Sequence, residues 1–151
     1  MTKNKKALYL ILFLIVALTA FIWYNSTVNK SDSGELSQSI AAKALGIFNI
    51  EDQKIIEQAN HIIRKIAHFT EFFVLGLFYC LVCVFQKSKA TSTIFFPMFC
   101  TMSTAVIDEF IQSFSDRGPA LSDVLLDFSG ALSGILAVIF IRRMMKRRTF
   151  E

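Results

Sequence analysis

Four apolar runs separated by polar stretches organise the chain. The first, 7–28, holds no charged residue, follows Lys3, Lys5 and Lys6, and closes with Trp23 and Tyr24, aromatics that settle at headgroup level. Three more occupy 66–85, 90–112 and 121–141. At helical rise each is long enough to cross about 30 Å of hydrocarbon. The pattern predicts an all-α integral membrane four-helix bundle, one domain over 1–151. The first run is longer than a usual signal-peptide core and lacks a clear small-x-small cleavage site, so it is read as a retained span.

Between the first two runs, 29–65 is polar and of zero net charge, five basic residues balancing five acids. Leu36, Ile40, Ala44 and Ile47 recur at helical spacing, as do Ile55, Ala59, Ile62, Ile63 and Ile66. Two amphipathic interfacial helices separated at Gly46 follow from that spacing. Asn49 is the expected cap of the second, with Asp52 in its first turn. No Gly or Pro interrupts 47–75, so this helix is expected to run straight into the membrane.

The charge-free cores of the second and fourth spans, 72–85 and 128–141, are 14 residues each. They reach spanning length only by taking in Glu71 with His68, and Asp127 with Asp123, which brings acids into the membrane edge. Pro97 interrupts the third span and predicts a kink, with the hydroxyls of Thr93, Thr101 and Ser103 near enough to help accommodate it. Pro119 follows Gly118 in the tight connection before the fourth span.

Composition and charge refine this picture. With 151 residues, 54% hydrophobic content and a mean hydropathy of +0.50, the chain is too apolar for an ordinary globule. Its +4 net charge sits beside the apolar runs and not among stacking aromatics, which argues for topology signals and against a nucleic-acid partner. On an alternating path, ten Lys and Arg residues gather at the end with Lys3, Lys87 and Arg142, against six at the other. Both termini are therefore expected in the cytoplasm and loop 29–65 outside. Cys80, Cys83 and Cys100 fall in apolar runs, where a thiol packs as a small hydrophobe.

This topology brings ionisable residues from three spans to one depth: Arg64, Lys65, His68 and Glu71, then Asp108, Glu109 and Gln112 with Asp116 and Arg117, then Ser122, Asp123 and Asp127. Arg64, His68 and Glu71 share one helical face, and Asp108 and Gln112 share another. Asp123 and Asp127 continue into Gly130 and Gly134, a G-x-x-x-G stripe that permits close helix approach and turns the acids toward the bundle. Groups of this kind at membrane depth are costly and often functional, although a structural salt-bridge lattice is the competing account. The acids outnumber the bases, so protonation, solvation or an external cation must balance them. His68 with Glu71, Asp123 and Asp127 are the catalytic candidates should chemistry occur here. A metal held by His68 with carboxylates has no dedicated local spacing, so no metal and no cofactor is assigned.

These residues resemble VanZ-like membrane proteins, a family named for a teicoplanin-resistance protein. R-K-x-A-H-F-x-E-F-x-x-L-G occupies 64–76, D-E-F-I-Q occupies 108–112, and Arg117 precedes S-D-V-L-L-D and the glycine pair, so that the likeness covers 64–141. The resistance protein carries an N-x-x-x-F-x-P-F-G pattern where this chain has His68 and Glu71, which are shared instead with R-K-x-A-H-F relatives. The resemblance implies a multi-pass protein of the bacterial cytoplasmic membrane. The expected partner is a membrane lipid, a lipid-linked envelope precursor or a lipoglycopeptide, bound at the outer leaflet. An acid-base enzyme acting on such a lipid and a structural or regulatory partner in a membrane complex remain alternatives, and a homo-oligomer is compatible with each. Transport fits less well, because transporters usually bind substrate near the midplane between repeats and no repeat is evident.

Overall fold

The computed structural model describes residues 3–27, 39, 42–43, 46, 52–114 and 120–148. Among the described residues four long helices account for the fold: α1 (Lys3–Thr27), α2 (Gln53–Phe85), α3 (Ala90–Gln112) and α4 (Leu121–Arg148). All four are long and apolar enough to cross a membrane. Tyr9, Phe13 and Val16 on α1, Phe95 and Phe99 on α3, and Leu136 and Phe140 on α4 project outward. So wide an apolar surface is unstable in water and suited to lipid.

The amphipathic segment expected before Gly46 lies outside the described residues except at its isolated positions. The second amphipathic stretch and the second span form one helix, α2. Its cap is Asp52, which accepts a hydrogen bond from the Lys54 amide at 2.9 Å, and not the expected Asn49. Asp was favourable in the first turn for the same reason it serves as cap: its carboxylate reaches an amide with no helical partner. At the other end α4 continues past 141 through Arg142, Arg143 and Lys146 to Arg148. Lys and Arg are good helix formers, and cations at a helix C-terminus complement its dipole.

Between α2 and α3 the chain reverses over 86–89. The Ser88 amide donates to Cys83 O and the Lys87 amide to Val84 O, at 2.9 and 3.1 Å, with Lys87 at φ 54°. This is a Schellman ending with lysine at the left-handed position usually held by glycine.

The closest contact in the bundle joins α2 to α4. A Cβ at Gly76 would enter the Ala131 backbone, one at Gly130 the Phe69 carbonyl, and one at Gly134 the Phe73 carbonyl. Three glycines thus let the two backbones touch, which no larger residue permits. Phe72, Leu75, Ala131 and Ile135 fill the core beside this seam, and α1 adds Ile11, Ile15 and Ile22.

Pro97 is buried within α3 and cannot donate to the carbonyl of Thr93 one turn earlier. The Cys80 thiol on α2 donates to that oxygen instead, at 3.7 Å. The hydroxyls of Thr93, Thr101 and Ser103 bond carbonyls of their own helix, Lys89 O, Pro97 O and Phe99 O respectively.

Candidate functional site

The antiparallel path gives the bundle two chemically distinct ends. Lys5, Lys6, Lys87, Lys89, Arg142, Arg143 and Lys146 mark a basic end. The end of α1, the middle of α2, the end of α3 and the start of α4 form an acidic one.

At the acidic end Asp108 is completely buried and held from two directions. Ser26 Oγ of α1 donates to Asp108 Oδ1, and Gln112 Nε2, one turn along α3, donates to Asp108 Oδ2 at 2.7 Å. Gln112 also reaches Ser26 Oγ at 3.5 Å. Ser26 is itself fully buried, so the first helix supplies a site residue.

His68 comes from α2 and Asp127 from α4. One donor atom each from His68, Asp108 and Asp127 lie within 4.8 Å of one another. Asp127 is 3% exposed, and its Oδ1 has no hydrogen-bond partner among the described residues. Glu71, on the turn after His68, places Oε2 3.8 Å from the imidazole Nδ1. An imidazole flanked by carboxylates can hold or pass a proton, or act as a metal ligand.

The other predicted residues take different positions. Asp123 pairs with Lys65 at 2.9 Å, both side chains 38% exposed, and receives the Ser122 hydroxyl at 3.3 Å. Arg64 is part-buried and interacts electrostatically with Asp123. Glu109 turns away from its neighbour Asp108 and accepts the Ala120 amide, tying the end of α3 to the start of α4. Asp116 and Arg117 lie outside the described residues. Gly130 and Gly134 sit on the α2–α4 seam directly below Asp127 in the helix.

Ser26 was absent from the sequence-based set. Its single signal is a hydroxyl where an apolar run ends, a place where a serine ordinarily meets water. Only the return of α3 alongside α1, 82 residues later in sequence, gives it a carboxylate partner.

The fold and the buried polar end together define a helical membrane protein with an ionisable site at one end of its bundle. A family model described as VanZ/LLP1 matches residues 10–142, nearly the whole chain, and the protein belongs to that family. No curated protein and no solved structure matches the chain closely enough to count as a relative.

Proposed function

We propose that this protein is a bacterial cell-envelope membrane protein whose acidic end faces outward and holds an amphipathic envelope molecule in the outer leaflet. One observation carries the reading: a groove of ≈ 410 Å³, lined by Val106, Phe110, Leu121 and Val124 with Glu109, opens between α3 and α4 at the end where the buried polar residues converge. An apolar trough beside ionisable groups suits a molecule with an acyl chain and a polar head. The excess of Lys and Arg at the opposite end supports the outward placement. Family membership makes a lipid-linked precursor or a lipoglycopeptide the chemistry to try first, and a contribution to teicoplanin resistance the phenotype to read.

Arg117→Lys and Asp127→Asn, compared with wild type at equal membrane abundance in a host lacking the protein, test the reading. Arg117 would grip a phosphate or carboxylate through two parallel hydrogen bonds that a lysine ammonium cannot reproduce. Both substitutions should reduce the change in lipoglycopeptide susceptibility, and should reduce lipid retained by purified protein in native mass spectrometry. Unaltered susceptibility and retention in both variants would exclude the acidic end as the working site.

The His68–Glu71 pair supports a second reading, acid-base chemistry on the same lipid. His68→Gln would then abolish turnover of a bound lipid while leaving its retention intact.

A further inference from the structure

We propose that His68, Asp108 and Asp127 form a binding site for one divalent transition-metal cation, zinc or manganese, at the acidic end of the bundle.

Three donors arrive from three different helices and meet within 4.8 Å. Donors bound to one tetrahedral ion at about 2.1 Å stand about 3.4 Å apart, so side-chain movements that bring the widest pair together by about 1.4 Å close the set. No local sequence motif produces this arrangement, because the ligands are brought together only by helix packing.

Asp127 supplies independent support. Its side chain is 3% exposed, and Oδ1 has no hydrogen-bond partner among the described residues. A buried carboxylate oxygen without a donor is expensive, more so at membrane depth. The Lys65 ammonium is engaged elsewhere, held by Asp123 at 2.9 Å. A divalent cation bound by two carboxylates and a neutral imidazole leaves the centre uncharged, the state a low-dielectric site favours.

The surroundings are those of a metal site. Ligand carboxylates and imidazoles are usually fixed by outer hydrogen-bonding or charged partners. Ser26 and Gln112 fix the two oxygens of Asp108, and Glu71 stands 3.8 Å from Nδ1 of His68. One nitrogen and two oxygens suit zinc or manganese. Copper(I) favours sulfur, and Cys80 and Cys83 lie toward the basic end, where they donate to Thr93 O and Ser92 O. Three protein donors leave a coordination position open to an outside oxygen. The cation would also neutralise the two ligand carboxylates and offer its open position to an oxygen of an anionic headgroup, which the acids alone would repel. That last step rests on the function proposed above, whereas the cation site does not.

The test uses the full chain, freed of its affinity tag, stripped with chelator and placed in phosphatidylcholine nanodiscs. Calorimetric titration with Zn²⁺ should give about one equivalent per chain, and Mn²⁺ should show electron-spin coupling to a histidine nitrogen. His68→Gln should abolish that coupling. Asp108→Asn and Asp127→Asn should weaken binding at least as much as loss of the outer partners in Ser26→Ala or Gln112→Ala, which is expected to cost about 10–100-fold. His61→Gln, an exposed histidine elsewhere on α2, should bind as wild type. Size-exclusion profiles and melting curves identify variants that remain folded. Absence of saturable binding by wild type, or binding unchanged in folded Asp127→Asn and His68→Gln, overturns the proposal. Lipid retention without metal would sink the cation site and leave the envelope-ligand reading standing; metal binding without retention would do the reverse.

Discussion

Ser26 shows how much one hydroxyl can determine at this depth. It is the residue through which α1 bonds the buried carboxylate of α3, and the remainder of α1 adheres mainly through Ile11, Ile15 and Ile22. Hydrogen bonds between membrane helices average about 0.6 kcal/mol and reach about 1.7, with charged acceptors at the upper end. Ser26→Ala should therefore lower unfolding stability in detergent by about 1–2 kcal/mol. Asn25→Ala, one position earlier, should have little effect, and equal losses in the two would remove the special role of Ser26. Sequence alone located the acids but did not divide their tasks. Asp108 and Glu109 are adjacent, yet about 100° of helix rotation sends one into the bundle and the other to the Ala120 amide. Asp123 and Asp127 share a stripe, but Lys65 reaches only the first, leaving the second for His68 and Asp108. Such choices depend on the rotation of each helix, which hydrophobic patterning fixes too coarsely to resolve.

At the scale of the element, the α2–α4 seam gives the sharpest expectation. Alanine at Gly134 places one methyl against the Phe73 carbonyl, a backbone atom that cannot swing aside. Overpacking of this kind costs about 1–3 kcal/mol, and leucine should exceed that by forcing the helices apart. Melting of Gly134→Ala and Gly134→Leu in detergent should show graded destabilisation, whereas Gly46→Ala, with no neighbour within 4 Å, should match wild type. Equal melting of all three would mean that the seam is loose. The helices themselves were legible, because predominantly apolar runs of about 20 residues have few alternatives to crossing a bilayer. Their ends were less so. Asp52 displaces Asn49 as cap because both residue types can accept an amide hydrogen bond and only the backbone decides which does. The fourth helix outlasts its apolar run because basic residues continue a helix as well as they end a span. The partnership between Cys80 and the carbonyl freed by Pro97 was invisible, being a contact between two helices neither of which carries a signal for it.

For the whole molecule, the segregation of charge predicts orientation. On the alternating path read from the sequence, ten Lys and Arg residues on one side against six on the other should hold the basic end in the cytoplasm. In a cysteine-free background, a thiol replacing Gln38 should react with an impermeant reagent on intact cells, and one replacing Lys89 only after permeabilisation. The opposite pattern would move the acidic site to the cytoplasmic leaflet and overturn the envelope-facing function. The glycine seam bears also on how the protein comes to lie in the membrane at all. The uncharged core of α2, 14 residues long, covers only about 21 Å of a hydrocarbon layer about 30 Å thick, and the same is true of α4. Each needs the other to shelter the polar residues that complete its length, yet the ribosome finishes α2 at Phe85 before α4 begins at Leu121. Until then the second helix is expected to lie shallow, with its carboxylate and imidazole hydrated. Arrival of α4 should draw both to full depth together, and α2 in a chain truncated before α4 should be extracted from membranes by alkaline carbonate more readily than in the full chain.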